Sequence, residues 1–503
     1  MCNFPCESRG LSMNRHFLFF SLLLSLILSP FSCEAALPTS AQIWSTICRY
    51  LTFDSAGAKS LSKYEWNRES ENEIDPLSLG WVQRLLEEFP ELSWFAHEDV
   101  RRTFDAGYEN EPSFSWSKKI FNVHHPEFDR AVLSIWCLRS FYNGSRESWQ
   151  YFVQSQPEEI QFHWESFSQI HQELIRFLES HPWMSKDQAL LTMETYLIIA
   201  DACKTPHAQK KAREYRVYVS DTKDFFQKTV DVCPQIYPSL KRLSYPCLEL
   251  IKRTANPLHM GHLRHLEGHP GMLRRLIESK LLHQHPADFE FFYLVDLCDT
   301  AAFFGQASIR GSLFLDESMY QINVSVKQAA LNTLQMDEFE AYRLHLEERA
   351  KSLGFGIETK EDRTLTRIGA MLRLHSPQDG KMLKRAFQKL DLYNQALLLS
   401  QLDIRTFDPL KRSPHYIPAV LNNMLNNPKL GQNFQERLDK VFILALPFIA
   451  QVMQEHRKEL TLRQADRSLP LNFNLVAKKV ASNPYLLNHV IFKINENNVV
   501  IVE

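Results

Sequence analysis

The sequence predicts an all-α protein of many helices with one small β-hairpin near its C-terminal end, and three observations carry that expectation. Glycine is scarce, at 15 of 503 residues, while Leu, Glu, Lys, Gln and Arg abound, a composition that suits helices better than turn-linked strands. Apolar residues recur three and four positions apart along most of the chain. Runs of β-branched residues are confined to the last few residues.

Taken in order, residues 1–35 read as a signal peptide. Positions 17–31 are apolar except for serines, Arg15 and His16 precede them, and Cys33-Glu34-Ala35 places small residues where signal peptidase reads. The run falls short of the about 20 residues that a membrane-spanning helix needs. Export to the periplasm or the medium is therefore expected, with no transmembrane span once the signal is removed; tethering by an uncleaved signal anchor is the alternative. Residues 36–118 form an N-terminal segment of loop and helix. A polar surface loop is expected over 60–73, then a helix begun by Asp75-Pro76 in which Leu79, Val82, Leu85, Leu86 and Phe89 share a face.

Residues 119–330 form the central helical core. Phe128, Val132, Ile135 and Trp136 make one stripe, and Phe167, Ile170, Leu174, Ile175 and Phe177 the next. His181-Pro182 ends that helix and Ser185 starts another, which carries the chain into Asp201. Further helices are expected over 208–219, up to Cys233, over 240–251, from Asn256-Pro257 to Glu267 with a stop at Gly268, over 271–282, and over an almost wholly apolar stretch, 289–304. Residues 331–470 supply C-terminal helices at 364–374, 381–402 and 438–453, the last too short to span a bilayer and so expected in the core. Residues 471–503 are a tail whose runs 489–494 and 499–502, on either side of an Asn-rich turn, predict the hairpin.

The formal net charge is −2, with 23% charged and 44% hydrophobic residues, which suits a soluble globular protein and speaks against nucleic-acid binding, since that needs a basic surface. Cys48, Cys137, Cys203, Cys233, Cys247 and Cys298 remain after signal removal, widely spaced and without a CxxC pair. They read as small core residues; if any pair is oxidised, Cys233 with Cys247 is favoured, across a loop bent by Pro234, Pro238 and Pro246.

Three clusters could carry chemistry. Asp201 falls in the last turn of an apolar helix, where the macrodipole and burial both disfavour an anion, so its charge needs either Lys204, three residues on, or a bound cation. Asp296 and Asp299 lie three apart on the apolar 289–304 helix, where interior ion pairs are the plainer alternative to a site. His259, His262, His265 and His269 crowd one short segment, as ligands for zinc, manganese or iron or as ordinary helix residues. His259-Met260-Gly261-His262 also matches the His-x-Gly-His signature of nucleotidylyltransferases. That motif belongs after the first strand of a parallel sheet; a predicted helix precedes it here, so the match is rejected.

Ile199-Ala200-Asp201-Ala202-Cys203-Lys204-Thr205-Pro206 resembles the His-Asp-x-Gly-Lys-x-Pro segment of the HD-domain metal-dependent phosphohydrolases, which are all-α. The resemblance covers roughly residues 160–305. It implies that Asp201 is the bridging metal ligand and Lys204 the catalytic lysine stabilising charge on the phosphoryl oxygens. It further implies a distant ligand at Asp296, or at Asp299, and an early one at His171, or at His163, with His259, His262 and His265 where some members add histidines. Ala200 stands at the position of the family's His and Cys203 at that of its Gly. A methyl group ligates nothing, so a centre of this kind lacks one ligand. The resulting expectation is an exported protein with an HD-like fold that lacks the usual activity. One alternative is a hydrolase in which Asp201, Asp296, His259, His262 and His171 hold divalent Mn, Fe, Zn or Mg and a small phosphoester is the substrate. The other is a non-catalytic protein that binds a protein partner.

Overall fold

Ser, Thr, Asp and Pro residues set where the helices of this protein begin. The computed structural model describes residues 79–96, 115–180, 183–219, 222–255, 258–406, 413–462, 470–488 and 490–502, all within one unit, Phe53–Glu503. The signal-peptide and 60–73 loop readings, the Asp75-Pro76 and Asn256-Pro257 starts, His181-Pro182 and Cys48 lie outside these residues.

The class is all-α. The first half contains α1 (Leu79–Glu88), α2 (Trp116–Phe121), α3 (Pro126–Asn143), α4 (Arg146–Val153), α5 (Trp164–Glu179), α6 (Lys186–Ala202), α7 (Pro206–Glu214), α8 (Thr222–Val232), α9 (Tyr245–Thr254) and the short α10 (Met260–Arg264). Then come α11 (Gly271–Ser279), α12 (Leu281–Gln284), α13 (Pro286–Ala301), α14 (Glu317–Asn332), α15 (Glu338–Ser352), α16 (Lys360–Met371), α17 (Pro377–Gln388) and α18 (Leu392–Leu402). The chain closes with α19 (Ile417–Leu425), α20 (Phe434–Lys440), α21 (Leu446–Leu462), α22 (Asn474–Ser482) and the antiparallel pair β1 (Phe492–Ile494) and β2 (Val500–Val502).

Where start and stop signals are strong, expectation and structure agree. Ser185 caps α6 with a reciprocal capping box to Gln188, and the hairpin pairs Phe492 with Val502 around its Asn-rich turn. Val82, Leu85, Phe128, Val132, Ile135, Trp136, Phe167, Ile170, Leu174 and Phe177 are all buried. Several helices are shorter than their apolar pattern. The 208–219 helix stops at Glu214 because Arg216 turns left-handed at φ 60°. The 240–251 helix begins only at Tyr245, after two 3-10 turns at Pro234–Ile236 and Pro238–Arg242. The expected helix to Glu267 ends at Arg264, with Leu266 at φ 49°. Lys280, at φ 55°, splits 271–282 into α11 and α12, and the Asp391 cap splits 381–402 into α17 and α18. Periodicity reports a buried face but not a left-handed residue within it, which is why these breaks were not visible. Cys233 and Cys247 are both free and buried, so the favoured disulfide is corrected to two core thiols; Cys247 packs against Met184, with Sγ 3.4 Å from the Met sulfur.

Two apolar cores underlie the architecture. The larger is built from α1 to α15, with α3, α6 and α13 at its centre: α13 packs on α3, α5, α6 and α9, and α6 also packs on α3 and α9. The smaller gathers α16 to α22 and the hairpin around Ile417, Leu421, Phe442, Ile449 and Phe473. Residues 441–453 lie largely in this second core, beginning with a π-helical turn, Val441–Ala445. Among the described residues no helix is long and apolar enough to cross a membrane.

Candidate functional site

The C-terminal end of α6 delivers Asp201 to the interior because thirteen residues of that helix, Asp201 included, are buried. Its carboxylate is 4% exposed, and two cations meet it. Lys204, on the turn that follows, donates from Nζ to Asp201 Oδ1. Arg130, on the first turn of α3, brings Nη1 to 3.9 Å from the same oxygen and 3.5 Å from Glu127 Oε2, and donates from Nη2 to Asp299 Oδ1 at 2.6 Å. Three acids and two bases therefore form one network where α3, α6 and α13 come together. Burial opposes the Arg130 charge, but Asp201, Asp299 and Glu127 outweigh it and hold the guanidinium firmly protonated. Phe303 covers its outer face, 5.5 Å from ring centre to the guanidinium carbon.

The other carboxylate of α13 faces elsewhere. Asp296 pairs with Arg264 Nη2, while Arg264 Nε donates to Asn323 Oδ1 at 2.9 Å, so that Asp296 ties α13 to α10 and α14. His171 is set further off: its Nδ1 donates to the Phe141 carbonyl oxygen at 2.8 Å and its ring lies over Gly144, whose φ of 65° ends α3. A Cβ at Gly144 would fall 2.3 Å from His171 Nδ1, so the ring and the glycine require each other. His163 caps the start of α5, with Nδ1 3.6 Å from Glu317.

The histidines of the 259–269 segment form a second centre. The rings of His259 and His262 lie 3.9 Å apart, and His415 packs 4.7 Å from His262. His262 Nδ1 is 3.6 Å from Glu267 Oε2, and Glu267 Oε1 accepts the Ile417 amide hydrogen at 2.9 Å. Burial pushes the Glu267 carboxyl up to about 8, against the opposing pull of that hydrogen bond and of Arg367. His269 turns away, its Nδ1 accepting from the Gly271 amide at 3.0 Å.

The expected ligands are thus distributed over separate environments. Asp201 meets Asp299 through Arg130, Asp296 is with Arg264, His259 and His262 are with His415 and Glu267, and His171 is with the Phe141 carbonyl. Among the described residues no group of three His, Cys, Asp or Glu side chains is arranged to hold a metal ion. At the Asp201 centre the donor set does not fit a cation either, since a guanidinium lies between Asp201 and Asp299 and Ala200 offers no donor. Sequence reasoning missed Arg130, Arg264, Glu267 and His415. Arg130 had one legible signal: it sits with Glu127 at the start of a helix that is apolar on its other faces, and a charge there needs an interior partner.

The fold and this charged centre define an all-α protein in which Asp201 and Asp299 meet Arg130 and Lys204 in one ion-pair network. Residues 90–487 match a family of unknown function, DUF6829, and the chain belongs to that family. No curated protein and no solved structure matches it.

Proposed function

We propose that the protein is an exported, non-hydrolytic binding protein with an HD-like helical centre, in which the guanidinium of Arg130 takes the place that a metal ion holds in the phosphohydrolases it resembles. One observation carries this reading: Arg130 lies between Asp201 on α6 and Asp299 on α13, the two helices that would supply the bridging and the distant ligand. The guanidinium meets Asp299 with a directed hydrogen bond and Asp201 at ion-pair distance, supplying a fixed charge between them, and unlike a metal it cannot acidify a water to make a nucleophile. Lys204, bonded to Asp201, serves charge balance rather than a phosphoryl group.

Phosphoesterase assays with bis(4-nitrophenyl) phosphate and 4-nitrophenyl phosphate, with Mn²⁺, Mg²⁺, Fe²⁺ or Zn²⁺ added in turn, test the reading. No turnover above the buffer rate is expected. Metal-dependent turnover that disappears in Asp201→Asn overturns the proposal in favour of the hydrolase. Export rests on the apolar run 17–31 and its flanks; the chain recovered from the periplasm or medium of the native host should begin at Ala36, and a chain retaining residues 1–35 contradicts it.

A further inference from the structure

Arg349, on the last turn of α15, is provided for less well than the other buried arginines. Arg363 grips both oxygens of Asp403, at 2.9 Å each. Arg367 donates to three carbonyl oxygens, of Leu266, Leu402 and Glu267, at 2.8, 3.1 and 3.0 Å. Arg349 is 3% exposed, yet its contacts are two long ones from Nη2, each 3.4 Å, to the Leu374 carbonyl and to His375 Nδ1. Its Nε is buried without an acceptor. A buried donor left unmet costs about 1–3 kcal/mol, and more when it carries charge.

The titratable groups that face Arg349 share its sign, while the Asp379 carboxylate accepts the His375 amide hydrogen at 3.0 Å and caps α17. Burial first, then Arg349 and Arg373, lower His375 to about 3. His265 is likewise held well below its usual value by burial and by Arg373, Arg264, Arg349 and His375. Three elements thus point basic groups at one place, the end of α10, the end of α15 and the turn 373–375 after α16, and α13's continuation adds the rings of Phe303 and Phe304. Arg373 and His375 are partly exposed, so the place opens to solvent. Arg373 lies 5.0, 5.4 and 5.1 Å from the ring centres of Phe303, Phe304 and Phe314, and takes a left-handed φ of 61° that ordinary side chains avoid at a cost of about 1–2 kcal/mol.

We propose that Arg349, Arg373, His265 and His375 form a binding site for the phosphate group of a phosphomonoester, whose organic part rests against Phe303 and Phe304. Guanidinium forks suit phosphate and carboxylate oxygens alike. Phosphate is favoured because the donors approach from three elements, and a tetrahedral phosphate spreads its oxygens over more directions than the two coplanar oxygens of a carboxylate. Neutral imidazoles each contribute one N–H. The site does not depend on whether the Asp201 centre hydrolyses anything, since the two share only the Phe303 ring, which also lies over Arg130, and none of their charged groups.

Calorimetric titration of the full chain tests this, with inorganic phosphate, phenyl phosphate and benzoate as ligands and sodium chloride at matched ionic strength as the control. Phosphate should bind, phenyl phosphate should bind more tightly, and Arg349→Met should weaken both at least tenfold. Absence of phosphate binding, or unchanged affinity in Arg349→Met, overturns the site; benzoate binding as tightly as phenyl phosphate overturns the choice of phosphate. Should Arg349→Met fail to fold, histidine ring NMR of the unaltered protein decides. Saturating phosphate should raise the pKa of His375 and His265 by stabilising their charged forms, and unmoved titrations overturn the proposal.

Discussion

Arg130 illustrates how much one side chain decides. Replacing it with Met leaves Glu127, Asp201 and Asp299 facing Lys204 alone, and breaking a buried pair from one side costs about 3–5 kcal/mol. Chemical denaturation should show a loss of that size, and Arg130→Met/Asp299→Asn should recover part of it, because the second change removes one uncompensated charge. Glu267 makes a prediction about pH. Its folded pKa of about 8 lies above the ordinary 4.5, so between those values the folded state holds a proton that the unfolded state has released. Stability from this group is therefore complete at low pH and falls as pH rises from about 4.5 to 8. Glu267→Gln, which keeps an oxygen for the Ile417 amide, should flatten that slope and leave the variant the more stable above pH 8; an unchanged slope in denaturation against pH would contradict the assignment. The sequence showed that Asp201 was an awkward buried acid and named Lys204 as a compensator, and both stand in the structure. It could not show Arg130 or Arg264, because those partners lie 71 and 32 positions from their acids, Asp201 and Asp296, and no local periodicity reports contacts over such separations.

At the scale of elements, short polar ties fix how helices meet. His345 on α15 joins its own helix to α14 through Ser325 Oγ, 2.8 Å from Nδ1, and to α10 by donating from Nε2 to the Leu263 carbonyl oxygen at 3.1 Å. Burial lowers it to about 4, so its protonation on acidification favours the unfolded chain: stability is intact above about 6.5 and lost progressively toward 4. His345→Gln should reduce that acid sensitivity while costing roughly 1–3 kcal/mol at neutral pH through the bond left unmade. Gly380 in α17 shows why some helix positions exclude a side chain, since a Cβ there would lie 1.9 Å from the Leu353 carbonyl oxygen. Gly380→Ala should destabilise by about 1–3 kcal/mol despite the better helix propensity of Ala, a loss that a thermal melt would register. Many helices were legible because caps such as Ser185 and stripes such as Phe128 to Trp136 are local signals, although the caps Ser376, ahead of the 381–402 run, and Asp391, within it, went unread. The breaks at Arg216, Leu266 and Lys280 were not, because each places an ordinary residue in a left-handed turn that only tertiary packing sustains.

Over the whole molecule, buried polar ties join the two apolar cores, alongside Phe355, which packs against both. Arg367 of α16 binds the Leu266 and Glu267 carbonyls on one side and that of Leu402 on the other, and Glu267 reaches across to the Ile417 amide. Arg367→Met deprives three carbonyl oxygens of their donor at once. Calorimetry of that variant should resolve two unfolding transitions where the unaltered protein shows more closely coupled ones. The same organisation sets the functional account: α3, α6 and α13 build a charged interior that balances itself with Arg130 and Lys204. The most direct test is the metal content of the purified chain after loading with excess Mn²⁺ and removal of free ion, compared with Asp201→Asn and Asp299→Asn. A centre filled by a guanidinium predicts a metal-to-chain ratio near zero in all three proteins; a ratio near one in the unaltered protein, lost in both variants, would contradict it.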